Sequence, residues 1–290
     1  GTPDNNDVGI TKGIVISVSD GISTVSLDSF DLEVNNVNDD PVIISDSTAA
    51  SGSIFEDAVL NTVSGLLVAS DVDTGDNLTF SVENPTGTYG SLAITEAGRW
   101  VYTLDNNDID TNALAEGVTE TDIIEVTVTD IQGATASENV VVNIKGSNDE
   151  PIITSAEIDA LGAVTEDAVT TTATGTLIAS DVDTGDGLTF SVANPTGTYG
   201  ALAIEGATGV WTYTLANGNA MTDALIEGAM VTDSIPVTVT DNQGVSTSKA
   251  VVVTITGVND APVITSSAQG SIYENELVIS PLTATDAEGN

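Results

Sequence analysis

Two neighbouring segments, IIEVTVTD (123–130) and ENVVVNIKG (138–146), decide the fold of this chain. In the first segment, valines at 126 and 128 alternate with threonines at 127 and 129, which is the period of two expected for a half-buried β-strand. The turn signal IQG lies between the two segments. The sequence therefore predicts two successive strands joined by a tight connection.

The same kind of segment recurs through the chain. LTFSV (78–82) and RWVYTL (99–104) are short, rich in β-branched and aromatic residues, and separated by turn signals such as NPTG and TEAG. The best helical candidate, DTNALAEG (110–117), is too short for more than about one turn. About seven strands in roughly 110 residues predict an all-β fold, with tandem Ig-like antiparallel β-sandwiches.

Internal repeats divide the chain. VNDDPVIIS (37–45), SNDEPIITS (147–155) and VNDAPVITS (258–266) lie 110 and 111 residues apart. Residues 69–94 and 179–204 are identical at 23 of 26 positions. The repeats predict a C-terminal part of a domain at 1–37, complete sandwiches at 38–147 and 148–258, and an N-terminal part of a further domain at 259–290. We expect these partial ends to result from truncation of a larger protein or, as an alternative, to complete each other between chains.

Composition excludes several kinds of function. The 290 residues include 44 acidic and 4 basic side chains, for a formal charge of −40, with no His and no Cys. Nucleic acid and anionic membrane surfaces are poor partners for such a chain. Disulfides, thiol nucleophiles, imidazole zinc sites and Ser-His-Asp triads are impossible without Cys and His. No apolar run approaches the length of a membrane span, so no membrane insertion is expected.

Acidic residues recur at equivalent places in each unit. They include a Glu near the first strand, an Asp-x-Asp in ASDVDTGD, a Glu in LAEG or LIEG, an Asp that closes VTVTD, and an Asn-Asp at each junction. The members of this set are Asp20, Asn38, Asp39, Glu56, Asp71, Asp73, Glu116, Asp130, Asn148, Asp149, Glu166, Asp181, Asp183, Glu227, Asp241, Asn259, Asp260, Asp286 and Glu288.

These residues fall at strand ends and junctions, which a sandwich places at its two poles. Clustered oxygen ligands without nitrogen or sulfur donors are what Ca²⁺ takes. Mg²⁺ accepts the same donor atoms, but it prefers a strict octahedron and retains its waters. The pattern therefore predicts Ca²⁺ sites where one domain meets the next.

Other interpretations of the acidic residues are weaker. DVDTGD resembles the opening of an EF-hand loop, but Val82 occupies the twelfth position and no helices flank it. A glycosidase carboxylate pair would be unusual as an exact repeat, and no aromatic-rich cleft accompanies it. Asp also suits turns, which explains single residues better than the whole recurring set.

Taken together, these motifs resemble a known family. ASDVDTGDN (69–77), followed by VTVTDIQGATASENVVVNIKGSNDEPII (126–153), resembles the cadherin pattern of A-x-D-x-D-x-G-x-N, a later A-x-D-x-G and a D-x-N-D-N-x-P linker. VWTYTL (210–215) with the following TD and VTVTD also resembles the VCBS repeats of giant bacterial adhesins, which are exported by type I secretion and are often rich in RTX sequences. The resemblance covers residues 41–261.

The resemblance implies calcium ligands at each junction. Asn38, Asp39, Asp71, Asp73 and Asp130 would form the first set. Glu56 and Glu116 would join Asn148, Asp149, Asp181, Asp183 and Asp241 in the second. Glu166 and Glu227 would join Asn259, Asp260, Asp286 and Glu288 in the third. The chain departs from cadherins in lacking the intact D-R-E and D-x-N-D-N forms.

Together with the resemblance, these observations predict a non-catalytic extender of a large adhesin on a bacterial surface that acts in cell adhesion and biofilms. The tandem sandwiches would form a linear rod, rigidified by calcium, that projects a distal binding domain. Its partners would be the neighbouring repeats of the same chain, with head-to-tail self-association a further possibility. The alternatives are a self-assembling surface filament and a carbohydrate- or protein-binding repeat.

Trp100 and Trp211 occupy equivalent places, and we expect them to be core residues rather than exposed platforms for sugars.

Overall fold

The computed structural model describes residues 8–266, 274 and 282–289. The chain forms two compact units, residues 1–147 and 148–290. The remaining residues of the two predicted partial domains, 1–7, 267–273, 275–281 and 290, lie outside the described residues.

The first unit begins with four short strands, in which β1 pairs with β4 and β2 pairs with β3, both antiparallel. Their bounds are β1 Gly9–Ile14, β2 Ser17–Ser19, β3 Thr24–Ser26 and β4 Phe30–Val34. Nine strands follow in residues 38–147, which we call repeat 1. They are β5 Val42–Ile43, β6 Ser51–Phe55, β7 Thr62–Leu66, β8 Ala69–Ser70, β9 Thr79–Ser81, β10 Gly90–Ile94, β11 Arg99–Leu104, β12 Thr119–Thr129 and β13 Thr135–Lys145.

Repeat 1 is a sandwich of two sheets. One sheet has four strands in the order β6-β13-β12-β9, and the other has three in the order β10-β11-β7; β5 and β8 form a separate pair. Every pairing is antiparallel except that of β6 with β13, which is parallel. The predicted sandwich is confirmed. The parallel pair was not predicted, because the alternation of apolar and polar residues is the same in parallel and antiparallel strands.

The second unit repeats this arrangement in residues 148–258, which we call repeat 2. Its four-stranded sheet has the order β15-β22-β21-β18, and its three-stranded sheet has the order β16-β20-β19. A single 3₁₀ turn, Glu157–Ala160, precedes β15. The strands are β14 Ile152–Ile153, β15 Leu161–Thr165, β16 Thr172–Thr176, β17 Ala179–Ser180, β18 Thr189–Ser191, β19 Gly200–Ile204, β20 Val210–Leu215, β21 Met230–Thr240 and β22 Ser246–Thr256, followed by β23 Val263–Ile264 and β24 Ala284–Thr285.

The hairpin of β12 and β13 forms the centre of repeat 1, as the opening segments predict. Its two strands pair over eleven residues each. Ile124, Val126 and Val128 are buried, whereas Glu125 is exposed and the threonines at 127 and 129 are half-buried. The alternation read from the sequence is therefore the inward and outward alternation of this sheet.

Both tryptophans are core residues, as expected. Trp100 has no exposed surface, and its Nε1 donates to the Ala49 carbonyl at 2.8 Å. Trp211 is equally buried and donates to the Asp159 carbonyl at 3.0 Å. Burial of this kind leaves no ring face for a sugar.

A buried carboxylate connects the two sheets in each repeat. Asp122 lies on β12 and is only 3% exposed. It accepts hydrogen bonds from the Thr88 amide (2.8 Å), the Tyr89 amide (3.1 Å) and the Tyr102 hydroxyl (2.6 Å). Asp233 occupies the same place in repeat 2, with the Tyr213 hydroxyl at 2.7 Å. These bonds hold the loop before β10 against the four-stranded sheet.

The predicted helical candidate at 110–117 forms turns instead. Over the residues that the structure describes, there is no helix of sufficient length and hydrophobicity to span a bilayer.

Candidate metal centres

Four aspartates converge at one end of repeat 1, and we call them cluster 1. Asp71, Asp73 and Asp76 follow the short strand β8, and Asp130 follows β12. One carboxylate oxygen from each of Asp71, Asp76 and Asp130 lies within 4.8 Å of the others. Asp71 also accepts the Asp73 amide at 2.9 Å, a local turn that sets the two side chains side by side.

The linker that precedes repeat 1 is fastened to cluster 1. Asn38 donates from Nδ2 to Asp130 Oδ2 at 2.7 Å. The Asp39 amide donates to Asp73 Oδ2 at 2.8 Å, and Asn36 donates to Asp73 Oδ1 at 2.9 Å. The structure thus gathers the first predicted set, Asn38, Asp39, Asp71, Asp73 and Asp130.

Asp130 is held rigidly by its own turn. Its Oδ1 accepts the amides of residues 132, 133 and 134 at 2.9, 2.6 and 2.8 Å. The hydrogen bond from Asn38, together with these amides, lowers the pKa of Asp130 below its ordinary value, because each donor favours the charged form. Asp130 is therefore a preorganised anion.

Repeat 2 contains the equivalent group, cluster 2, which consists of Asp181, Asp183, Asp186 and Asp241. Oxygens of Asp181, Asp186 and Asp241 again lie within 4.8 Å of one another. Asn148 donates to Asp241 Oδ2 at 2.9 Å, and the Asp149 amide donates to Asp183 Oδ2 at 2.9 Å. Burial would raise the pKa of Asp241, but the bonds from Asn148 and the turn amides lower it overall.

The clusters contain oxygen atoms with unused hydrogen-bonding capacity. Within the described part of the chain, buried oxygens that lack a hydrogen-bond partner include Oδ2 of Asp71, Asp76, Asp181 and Asp186 and Oδ1 of Asp183. Asp183 is only 5% exposed. Buried polar atoms are normally satisfied, so these atoms fit a cation that would take them as ligands.

Electrostatic strain accompanies this arrangement. Burial raises the pKa of Asp76, and the carboxylates of Asp71 and Asp130 raise it further. Burial likewise raises the pKa of Asp183, with contributions from Asp181, Asp186 and Asp241. Like charges at this separation disfavour the ionised forms, and a bound divalent cation reverses that preference.

A buried glutamate marks the opposite end of each repeat. Glu56 follows β6 and accepts the Ser147 amide at 2.9 Å, at the point where repeat 1 ends. Glu166 follows β15, is 1% exposed and accepts the Val258 amide at 3.1 Å. Oε1 of Glu166 has no hydrogen-bond partner among the described residues.

Further carboxylates surround Glu166. We call the whole set the Glu166 group; its members are Glu166, Asp167, Asp223, Asp260, Asp286 and Glu288. Burial raises the pKa of Glu166, and the nearby Asp260, Asp167 and Asp223 raise it further. Burial also raises the pKa of Asp260, with Glu288 as the largest charged contributor. The Asp260 amide donates to Glu288 Oε1 at 2.6 Å, and the Glu288 amide donates to Asp286 Oδ1 at 3.1 Å.

The structure does not bring every predicted residue into these groups. Glu116 and Glu227 are exposed in the loops before β12 and β21. Asp223, four residues before Glu227, is the carboxylate that neighbours Glu166. Asn259 donates to the Asp260 carbonyl at 2.7 Å, beside the group. Asp20 caps the turn between β2 and β3 by accepting the amides of residues 22 and 23 at 2.9 and 2.8 Å.

Four residues that sequence reasoning did not select belong to the groups: Asp76, Asp186, Asp167 and Asp223. Asp76 and Asp186 are the last residues of the two ASDVDTGD copies, at 69–76 and 179–186. The presence of a third carboxylate in this octapeptide could have indicated them. Asp223 gave a weaker signal, because repeat 1 has Asn112 at the same place. Asp223 is assigned to the Glu166 group by its position in the fold, because no repeated motif contains it.

The groups offer carboxylate and amide oxygens with no nitrogen or sulfur ligand. Hard divalent cations prefer this donor set, and Ca²⁺ tolerates its irregular geometry better than Mg²⁺ does. The hydrogen bonds described above for clusters 1 and 2 come from backbone amides and asparagine side chains, and none of them comes from a lysine or an arginine.

Comparison with solved structures shows a similar fold in cadherins and protocadherins. Protocadherin PcdhgB3 EC1–4 matches with a TM-score of 0.54 and 19% identity, over 89% of this chain and 60% of that one. The protocadherin GammaB4 extracellular domain matches with 0.55 and 20%, over 98% and 44%. Mouse cadherin-23 EC22–24 matches with 0.51 and 19%, over 87% and 78%. The chain thus spans about half the length of the first two, and a search of curated proteins gave no match.

A family model identifies both repeats. The bacterial cadherin-like domain matches residues 38–146 and again residues 148–257, which together make up most of the chain. The boundaries agree with repeats 1 and 2 as the strands define them. The chain therefore belongs to the bacterial cadherin-like domain family, of which it carries two tandem copies.

Proposed function

We propose that the chain is a non-catalytic extender region of a large extracellular adhesin on a bacterial surface, stiffened by Ca²⁺ at its domain boundaries. The observation that supports this most is the attachment of each linker to an aspartate cluster that retains unpartnered buried oxygens. A VCBS- and RTX-containing adhesin that acts in biofilms remains our prediction for the parent protein.

The residues that would hold the ions belong to three sets. Cluster 1 with Asn38 and Asp39 forms the first, cluster 2 with Asn148 and Asp149 forms the second, and the Glu166 group forms the third. Glu56, Glu116 and Glu227 remain predicted contributors. When bound, the cation supplies positive charge that turns mutually repelling carboxylates into shared ligands.

The linker would be stiffened because each set of calcium ligands includes residues of the linker and residues of the repeat. Asn148 and Asp149 belong to the linker, whereas Asp181, Asp183 and Asp241 belong to strand ends of repeat 2. A ligand set that includes both parts restricts the linker to one orientation on its repeat. Without the cation, the same carboxylates repel, and fewer interactions oppose movement of the linker.

The expected stabilisation is substantial where free Ca²⁺ lies far above the Kd of the sites. Extracellular calcium modules have Kd values of roughly 10⁻⁴–10⁻³ M. A cation at about 100 times its Kd adds about 2.7 kcal/mol for each site. Several sites together would rival the intrinsic stability of one domain, about 5–15 kcal/mol.

Calcium titration by calorimetry of the full chain tests the proposal. We expect saturable binding, a higher melting temperature with Ca²⁺ than with a chelator, and a weaker response to Mg²⁺. Asp181→Asn with Asp183→Asn should remove binding at cluster 2, whereas Glu125→Gln with Glu138→Gln, which removes two exposed charges from β12 and β13, should not. Equal melting temperatures with calcium and chelator would rule the proposal out, and calcium-dependent light scattering would favour a filament.

A further inference from the structure

A cavity of about 590 Å³ opens at the end of the three-stranded sheet of repeat 1. Its lining includes Asn61, Thr88, Tyr89, Ser91, Asp105 and Asp108. None of these residues belongs to cluster 1, and Asp122 behind the cavity is a buried structural residue. A volume of this size is typical of small-molecule sites.

The wall formed by residues 84–90 is fixed in place. The Gly87 amide donates to the Gly90 carbonyl at 2.8 Å, which closes the loop on itself. Asp122 accepts the Thr88 and Tyr89 amides from behind. A Cβ at position 87 would lie 2.1 Å from the Asp122 carboxylate, so only glycine fits there. The loop therefore needs no ordering when a ligand binds, which favours affinity.

The opposite wall, formed by residues 105–108, is also fixed. The Asp105 amide donates to the Tyr89 carbonyl at 3.0 Å and thus joins the two walls. Asp105 Oδ1 accepts the Asn107 amide at 3.0 Å, and Asp108 Oδ1 accepts the Asp110 amide at 2.9 Å. Each carboxylate retains a second oxygen that can accept a bond from a ligand.

The lining combines both kinds of hydrogen-bonding group. The carboxylates of Asp105 and Asp108 are acceptors, the Asn61 amide is both donor and acceptor, and the hydroxyls of Thr88 and Ser91 can act either way. Only a ligand that both donates and accepts uses all of them, and a hydroxyl does so. Tyr89 adds a half-buried aromatic side chain that suits the apolar C–H faces of a sugar.

A metal ion fits this cavity less well. Among the described residues, the sets of three acidic side chains with converging oxygens include neither Asp105 nor Asp108. A cation would also make no use of the Ser91 hydroxyl as a donor or of the second Asn61 amide hydrogen, the first being bonded to the Leu104 carbonyl at 3.2 Å. The mixed donor set favours a neutral polyol.

Repeat 2 provides an internal comparison. Its loop 194–200 is identical to 84–90, and Asp233 holds it in the same way. Four lining residues differ: Asn61, Ser91, Asp105 and Asp108 correspond to Thr171, Ala201, Ala216 and Asn219. The scaffold is thus common to both repeats, whereas the two lining carboxylates occur in repeat 1 alone.

From this lining, we propose that the cavity of repeat 1 binds a neutral carbohydrate, with Asp105, Asp108 and Asn61 bonded to its hydroxyls and Tyr89 against its ring. This activity is separate from calcium-dependent stiffening and uses none of the residues proposed for it. Repeat 1 would then contact a glycan in addition to extending the chain.

Amide chemical-shift mapping on the full chain, saturated with Ca²⁺, tests this. The probes are cellotetraose, mannotetraose, isomaltotetraose and N-acetylglucosamine tetramer, each up to roughly 10 mM, a range that detects millimolar Kd values. At least one should shift the amides of Thr88, Tyr89 and Asp105. The triple variant Asn61→Thr, Asp105→Ala and Asp108→Asn, which installs three of the four differing residues of repeat 2, should weaken binding by about tenfold or more.

Two controls separate the cavity from general charge effects. Glu125→Gln with Glu138→Gln removes the same number of charges from exposed sites and should leave binding unchanged. The glucosamine tetramer tests for recognition of positive charge. The proposal fails if none of the neutral sugars shifts these amides, if the triple variant binds as the natural chain does, or if glucosamine binds in preference to its N-acetyl form.

Discussion

At the scale of single residues, the buried aspartates on the central strands show how one side chain can organise a repeat. Asp122 bonds two loop amides and the Tyr102 hydroxyl, and Asp233 bonds the amides of residues 198, 199 and 200 as well as Tyr213. Neither aspartate has a basic partner among these contacts. In each aspartate, both carboxylate oxygens accept hydrogen bonds, so the buried side chain is satisfied without a basic partner.

Asp122→Ala should destabilise repeat 1 by about 3–5 kcal/mol. The change leaves two amides and a hydroxyl without an acceptor, and each unsatisfied buried group costs about 1–3 kcal/mol. Urea denaturation followed by tryptophan fluorescence measures the loss. Glu125→Ala, on the same strand but exposed, should change stability by less than about 0.5 kcal/mol. A loss for Asp122→Ala no larger than that of this control would contradict the assigned role.

The same contacts predict how the tyrosines titrate. Burial and the bond to Asp122 or Asp233 raise the pKa of Tyr102 and Tyr213 far above the ordinary 10.0. Because the folded state retains these protons after the unfolded state has released them, this contribution to stability is complete below pH 10.0 and is lost as the pH rises above it.

Alkaline titration of tyrosinate absorbance checks this prediction. Tyr102 and Tyr213 should ionise only as the chain unfolds, above the ordinary pKa of 10.0. Tyr102→Phe should reduce the number of tyrosines protected in this way by one. An unchanged number of protected tyrosines in Tyr102→Phe, with circular dichroism showing that the chain is still folded, is the contrary result.

At the scale of elements, the close approach of β7 to β11 depends on glycine. A Cβ at Gly65 would lie 2.6 Å from the indole of Trp100, and one at Gly175 would lie 2.5 Å from Trp211. Neither indole can withdraw easily, because each is fully buried and bonded through Nε1. The two sheets therefore pack around a tryptophan that lies directly against a strand backbone.

Gly65→Ala should cost about 1–3 kcal/mol, the usual range for overpacking a core. Thermal unfolding of the full chain should show repeat 1 melting earlier while repeat 2 is unaffected. Ser64→Ala, at the neighbouring exposed position of β7, is the matched control and should be nearly neutral. An unchanged melting profile for Gly65→Ala would mean that the indole moves freely.

At the scale of the whole molecule, charge is the dominant feature. A net charge of −40 with 4 basic residues cannot be neutralised from within. The carboxylates concentrate at the ends of the repeats, where linkers join them. External cations are the available source of neutralisation, and they would act on every boundary together.

Removal of calcium should therefore change the dimensions of the chain as well as its stability. We expect the radius of gyration from small-angle scattering to change when a chelator is added and to be restored by Ca²⁺. Sodium chloride at matched ionic strength is the control, because it screens charge without occupying sites. Recovery with sodium chloride alone would show that screening, rather than site binding, sets the dimensions.

The sequence by itself determined the all-β class and the tandem repeats, and it predicted most of the residues that meet in the acidic groups. The alternation of apolar and polar residues depends on neighbours that are close in sequence, and so does a turn such as that from Asp71 to Asp73. Both can therefore be predicted without a structure. The family motifs extended this to the contact of Asn38 with Asp130, which are 92 residues apart.

Only the tertiary structure decided the remaining features. The parallel pairing of β6 with β13, the neighbourhood of Asp223 and Glu166, and the bonds from Asp122 to a loop 33–34 residues earlier all join distant parts of the chain. Such contacts depend on how the two sheets face each other, and local pattern does not encode that relation. For the same reason, the cavity beside Tyr89 could not be read from the sequence, although every residue that lines it is present there.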